Sequence, residues 1–317
     1  MSSVPQQSNA VPYFQVDLVA PDLTAWRAGN TAVPGFWTFA AAAPGPHVAL
    51  IALMHGNEIA GAHVLARLLA QKIRPARGRL TLGFANLAAF DLFDPTQPTA
   101  SRFVDEDLNR IWDPAVLDGS RQSAELARAR IMRPIIDTVD VLLDIHSMLW
   151  PSDPLILCGP SAKGRALAVA LGVPGLVVAD AGHVSGPRLI DYPRFVAPAG
   201  DAVACLVEAG QHWVRTTVDV AQIAVDAVIQ HTGLGARTAA PGEAPHLAEV
   251  TEAITATTAY FTFVQPYRGG EVIVARGTLI AHDGGAEIRT PYDDCLLVMP
   301  SLRPSRGHTA VRLARFI

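Results

Sequence analysis

HVALIALMHGNE, residues 47–58, is the stretch on which the reading of this chain turns. From His47 to Met54 it is an apolar run, the pattern of a strand buried on both faces. His55-Gly-Asn-Glu58 follows, and then Ile59, Ala62, Ala66 and Leu69 recur at helical spacing within Ile59 to Lys72. His55 and Glu58 therefore stand where a strand hands over to a helix, the edge at which open α/β sheets bind ligands. Three apart on one helical turn, they can reach a single cation. A polar turn with a helix-starting Glu favoured by the helix dipole gives the same local pattern, so the rest of the chain has to decide.

Outward from this stretch, strand-like and helix-like segments alternate. Tyr13 to Ala20 and Gly35 to Ala43 read as early strands, and the Pro44-Gly45-Pro46 turn suggests a hairpin between the second of these and the 47–54 strand. Further strands are expected at Arg79 to Ala85, Val139 to Ile145, Leu155 to Cys158, Leu176 to Ala179 and Val203 to Val207. Helices are expected at Ser120 to Ile136, Ala162 to Leu171 and Val214 to Gln230. That alternation predicts a mostly parallel sheet covered by helices on both faces. Asn86 to Pro114, carrying SRFVDEDLNR, is an irregular stretch long enough to be functional.

The composition changes at TGLGARTAAPGEAP, residues 232–245. Beyond it, short strand-like runs at Ala259 to Val264, Glu271 to Ala275, Thr278 to Ala281 and Cys295 to Met299 alternate with Gly and Pro turns. The expected organisation is a mobile tail over 1–12, a catalytic domain over 13–231, a linker over 232–245 and a smaller β-rich C-terminal domain over 246–317.

A length of 317 residues with half of them hydrophobic describes a folded globular protein. A formal net charge of −4 without a dense basic run argues against nucleic-acid binding. No apolar run approaches the ~20 residues that span a bilayer. Cys158, Cys205 and Cys295 are odd in number and each lies in an apolar run, as buried thiols in a reducing compartment would. A cytoplasmic location and no membrane partner are the expectations; a homo-oligomer is left open.

Three apolar strands end in a residue able to bind a metal or move a proton: His55 with Glu58, His146, and Glu208. Two imidazoles and a carboxylate with an open fourth position can hold a catalytic Zn²⁺. Against this, His146 could simply pair with nearby Asp144, and Glu208 could be an exposed carboxylate before Gly210. Glu208 is a candidate general base. Arg102 and Arg110 offer planar forks for a carboxylate or an oxyanion, and Asn109 adds an amide.

The ordered set HGNE (55–58), DLNR (107–110), DIHS (144–147) and VEAG (207–210) resembles the succinylglutamate desuccinylase/aspartoacylase family, a branch of the zinc carboxypeptidase superfamily, over about residues 45–215. The resemblance implies a zinc-carboxypeptidase-like α/β fold, a mixed eight-stranded sheet sandwiched between helices. It implies one Zn²⁺ per chain on His55, Glu58 and His146, with Glu208 as the catalytic glutamate. By the same resemblance Arg102 polarises the scissile carbonyl, while Asn109 and Arg110 grip the substrate's α-carboxylate. One segment departs from the pattern. Aspartoacylases carry an Arg and a Tyr shortly before the catalytic Glu; here residues 191–208 read DYPRFVAPAGDAVACLVE, with Tyr192 and Arg194 nearby and Pro198 where a charge is called for. Tyr267 and Tyr292 have no role to carry over.

The leading expectation is a zinc-dependent amidohydrolase that deacylates a small N-acyl amino acid bearing a carboxylate. A zinc carboxypeptidase acting on a peptide C-terminus would use the same residues. A non-catalytic metal-binding protein is the alternative of another class. In the family the appended domain narrows the mouth over the metal, which implies a gate against peptides at 246–317.

Overall fold

The computed structural model describes residues 14–235 and 244–317. The expected tail over 1–12 lies outside them, as does most of the expected linker over 232–245. Strand β2 (His47–Ala52) is buried at all six positions. Each Val, Leu or Ile so placed contributes roughly 1.5–3 kcal/mol of burial, and such a run is stable only with a neighbour on each side. It has them: β3 (Arg79–Phe84) and β4 (Val141–Met148) flank it, both parallel. β7 (Val203–Gln211) continues the sheet in parallel beyond β4. β5 (Leu155–Leu157) then runs antiparallel to β7, and β6 (Leu176–Ala179) parallel to β5.

β1 (Phe36–Ala40) pairs antiparallel with β3, not with β2, so the expected hairpin across Pro44-Gly45-Pro46 does not form. Both edges of β2 are already taken, and half-buried β1 sits at the border of the sheet, outside β3. Residues 14–20 form no strand either. That segment is fixed by ring packing and a single backbone bond to Trp213: Phe14 packs edge-on against Trp150 and Trp213, and Asp17 N–H donates to Trp213 O.

Helices α1 (Ala60–Ala70), α3 (Ala162–Leu171) and α4 (Arg215–His231) cover one face, where Leu65, Leu68, Leu167, Val225 and Val228 meet the sheet. Helix α2 (Ala124–Ile136) covers the other with Leu126, Met132 and Ile136. Its start is set by Ser123, whose hydroxyl accepts from Leu126 N–H as an N-cap.

The sheet does not stop at the catalytic motifs. β8 (His246–Thr255) adds parallel to β6, and β14 (Thr309–Phe316), β13 (Cys295–Val298) and β10 (Val272–Ile273) follow it antiparallel, giving eleven strands in all. β9 (Phe261–Phe263), β11 (Leu279–Asp283) and β12 (Ala286–Arg289) form a separate small sheet. The fold is thus the expected mixed sheet between helices with a β-rich C-terminal region. β8, β12 and β14 escaped the sequence reading: β8 in particular is largely exposed and mixes polar with apolar residues.

Candidate metal centre and substrate cleft

His55 and Glu58 leave the end of β2 in a turn held from three sides. Trp213 Nε1–H donates to Asn57 O at 2.9 Å, Gly56 N–H to Arg102 O at 3.1 Å, and Asn57 Nδ2–H to Pro98 O at 3.2 Å. Gly56 is required by close approach: a Cβ there would lie 2.3 Å from the Ala89 carbonyl carbon. His146 lies within β4 and Glu208 within β7 rather than at strand ends, because both strands continue to Met148 and Gln211. The two are Cα partners in parallel register, so they emerge side by side.

The His55, Glu58 and His146 ligand atoms all lie within 4.8 Å of one another, and all three side chains are buried. His55 Nδ1 is 2.6 Å from Glu58 Oε1, and His146 Nδ1 is 3.0 Å from Glu58 Oε2. Both imidazoles turn the same nitrogen inward. Their outer nitrogens meet carboxylates: His55 Nε2 is 2.9 Å from Asp107 Oδ1, and His146 Nε2 is 2.9 Å from Asp144 Oδ2. The second contact is a charge contact off the hydrogen-bonding direction, and both Asp144 oxygens are left without a hydrogen-bond partner among the described residues. Carboxylates behind metal-binding histidines fix the tautomer and raise ligand basicity. Sequence reasoning gave Asp107 no role and saw Asp144 only as an alternative partner for His146. The signal was present in both cases, an Asp two before His146 and the first residue of DLNR.

The electrostatics suit a cation. Burial opposes charge on His146, yet Asp144 and then Glu58 hold its pKa well above the ordinary value. Burial works against Glu58 as well, but His55 and His146 keep its carboxyl well below the usual range. A proton shared among these groups is what a metal displaces on binding. Glu208 is pushed up to about 8 by burial and by the charge of Glu58. Its Oε2 is buried without a hydrogen-bond partner among the described residues. Ser147 completes the floor: its N–H donates to Glu58 Oε2 at 3.0 Å, and its hydroxyl shares a 2.7 Å hydrogen bond with His212 Nδ1. Burial pushes His212 down to about 4, which keeps the ring neutral.

The loop SRFVDEDLNR brings the arginines to this centre. Asp107 caps a short helical turn by accepting from Asn109 N–H at 2.8 Å. Arg102 donates to Glu58 Oε1 at 3.2 Å and Asp107 Oδ2 at 3.1 Å while its side chain stays half-exposed. Burial costs it charge stability, but Asp107 and Glu58 raise its pKa above the usual value. Asn109 is buried: its Oδ1 accepts from Leu189 N–H at 2.7 Å, and its Nδ2 lies 3.3 Å from His146 Nε2. Arg110 donates to Asn109 O at 2.6 Å and reaches Asp107 Oδ2 only at 4.0 Å. Burial lowers its pKa to about 10, with Arg102, Arg188 and Arg312 adding to the fall. Gly186, at φ 134°, lets the neighbouring loop press on the Arg110 carbonyl, where a Cβ would lie 2.1 Å from the oxygen. All of the site residues expected from the sequence line one cleft of about 550 Å³.

Tyr192 and Arg194 are elsewhere. Tyr192 donates to Asp137 Oδ1 and Arg194 to Val139 O, at the opening end of β4. Six residues of strand, ~20 Å at about 3.3 Å each, separate Asp140 from His146.

Residues 44–165 match the family model described as the succinylglutamate desuccinylase/aspartoacylase catalytic domain. Over that segment, the chain is similar to this family. Its matched span holds HGNE, DLNR and DIHS and ends before Glu208. No curated protein matches the sequence significantly. Among solved structures, succinylglutamate desuccinylase from Vibrio cholerae aligns with a TM-score of 0.67 at 17% identity, over 86% of this chain and 82% of that one. A succinylglutamate desuccinylase from Silicibacter sp. TM1040 aligns with a TM-score of 0.66 at 19% identity, over 98% of this chain and 100% of that one. A product-bound ectoine utilization protein from Ruegeria pomeroyi aligns with a TM-score of 0.64 at 17% identity, over 88% of each chain. At such identities these likenesses speak to the fold, and they extend it through the C-terminal strands. No helix among the described residues is long and apolar enough to cross a membrane.

Proposed function

We propose that this chain is a zinc-dependent deacylase that hydrolyses the amide bond of a small N-acyl amino acid. The observation that carries the reading is the buried His55–Glu58–His146 group, backed by Asp107 and Asp144, with Glu208 beside it on the adjoining strand. The donor set fits zinc: two imidazole nitrogens and one carboxylate, leaving room for a further ligand. Zinc held there would supply Lewis-acid charge that polarises the amide carbonyl and makes a water acidic.

The chain's own residues do the rest. Arg110, with its guanidinium short of counter-charge, binds the substrate's α-carboxylate together with Asn109 and orients the amide toward the centre. Arg102, half-exposed between Glu58 and Asp107, faces the carbonyl oxygen, where negative charge develops. Glu208 takes the water proton on Oε2 and delivers it to the leaving nitrogen. Positive charge on the ligand group draws the Glu208 carboxyl back down toward ionisation, which ties the base to an occupied site. Residues 246–317 act as the unit that limits substrates to small molecules, since Met299, Pro300, Ser301, His308 and Thr309 line the same cleft. The test is a hydrolysis screen of the zinc-loaded protein against N-acyl amino acids and peptides. Turnover of the former without the latter supports the reading. Efficient release of C-terminal residues from a pentapeptide overturns it in favour of a carboxypeptidase.

A further inference from the structure

Glu125 stands in the first turn of α2, where the ordinary part of a glutamate is to face solvent and favour the helix dipole. Here it is 1% exposed and turned toward the loop that carries the arginines. Its Oε1 accepts from Val104 N–H at 2.7 Å and from Asn86 Nδ2–H at 3.0 Å. Its Oε2 accepts from Asp105 N–H at 3.0 Å and Glu106 N–H at 3.2 Å. A buried carboxylate is costly unless its oxygens are bonded, and these donors fill its roughly four lone-pair sites. The grip is returned: Asp105 Oδ2 accepts from Ala124 N–H at 2.7 Å, and Glu106 Oε1 from the Ser123 hydroxyl at 2.5 Å.

The backbone amides held by Glu125 belong to consecutive residues between Arg102 and Asp107. Fixing them fixes the position from which Arg102 reaches Glu58 and Asp107, and from which Asp107 reaches His55. A second arm runs to HGNE. Asn86, which donates to Glu125, accepts on Oδ1 from Ala89 N–H at 3.2 Å, and Gly56 lies against the Ala89 carbonyl. Gly56 N–H in turn donates to Arg102 O. Glu125 itself is not among the residues lining the cleft, so it acts from behind. A misplacement of about 1 Å caused far from the chemistry can cost about 10²-fold in rate.

We infer that Glu125 is a positioning residue: through the amides of Val104, Asp105 and Glu106 it sets where Arg102 and the DLNR turn stand over the centre. Its effect on rate rests on the deacylase reading, whereas its hold on the loop is read without turnover. Glu125→Gln keeps the shape but turns an NH2 group toward donors that need an acceptor. In the zinc-saturated variant, hydrogen exchange at residues 104–106 should be about tenfold faster, with β2 and β4 protected as in wild type. The kcat for an N-acyl amino acid should fall about 10- to 100-fold. In an Arg102→Gln background the same change should cost less than about threefold more, because both act through one group. A residue that only stabilised the fold would give additive losses and faster exchange throughout the sheet. Glu125→Asp keeps the charge but falls one methylene short; it should show both effects reduced, and it carries the test if the glutamine variant does not fold. Unchanged exchange at 104–106, or additive losses in the two backgrounds, overturns the inference. Faster exchange confined to the loop, in a protein that turns over no N-acyl amino acid, defeats the deacylase reading and leaves Glu125 assigned to the loop. Turnover with unchanged exchange does the reverse.

Discussion

Asp107 is the residue whose removal separates an organised metal centre from a chance cluster of polar groups. It accepts on Oδ1 from Asn109 N–H and lies 2.9 Å from His55 Nε2, and its Oδ2 accepts from Arg102. Burial works against its charge, yet His55 and then Arg102 hold the carboxyl far below the usual range. Asp107→Ala removes the group that fixes the His55 ring and frees Arg102 to swing away. Loss of such an outer partner costs roughly 10- to 100-fold in metal affinity, or about 1.4–2.7 kcal/mol. Asp107→Asn keeps an oxygen for His55 but turns a donor toward Arg102, so it should lose less affinity and still lower turnover. Zinc affinity measured by competition with a chromogenic chelator, alongside a thermal melt, reads both effects. A loss under threefold in Asp107→Ala, in a protein that melts like wild type, would refute the reasoning that Asp107 orients His55.

Three further outcomes follow from the same geometry. Glu208→Gln should keep its zinc while kcat falls by roughly 10²- to 10⁴-fold, the usual cost of losing a general base; a variant within threefold of wild type gives Glu208 a structural role. Arg110→Gln should act mainly on KM, since its target carboxylate is present in the ground state, and Arg102→Gln mainly on kcat; steady-state kinetics showing the reverse would dissolve the proposed division. His47 is held neutral, its pKa lowered to about 4 by burial and by Arg79, with Nε2 bonded to Thr81 and Nδ1 to Thr138. The unfolded chain therefore binds the extra proton between about 4 and 6.5, and stability present above 6.5 is lost as pH falls through that window. At about 1.4 kcal/mol per pH unit the ceiling is roughly 3 kcal/mol, and solvent screening brings it to about 2 kcal/mol. Urea unfolding at pH 7.5 and 5 crosses about three fifths of that window and should show a loss of about 1 kcal/mol in wild type and a smaller one in His47→Gln.

The central architecture was legible because its signals are local. A fully buried run such as residues 47–52 can only be an interior strand, and the alternation of such runs with helices leaves few arrangements for the sheet. Long-range pairing was less legible. Pro44-Gly45-Pro46 reads as a tight turn, but whether β1 lands beside β2 or skips over β3 depends on which edges remain open, and no local residue reports that. β8 and β14 were missed for a related reason: they extend an existing sheet and carry mixed, partly exposed sequences. At the site, residue type and order singled out His55, Glu58 and His146, which the fold brings within 4.8 Å. Arg312, which also lines the cleft, could not be found in the same way, because it lies on β14, a strand recognised only in the structure.

The account stands most directly on the coupling of one metal ion to one activity. Metal-stripped protein titrated with Zn²⁺ should take up one equivalent, with hydrolysis of an N-acyl amino acid rising in step, and neither should occur in His146→Ala. Full zinc retention in both His55→Ala and His146→Ala, or hydrolysis that survives complete removal of the metal, would contradict it.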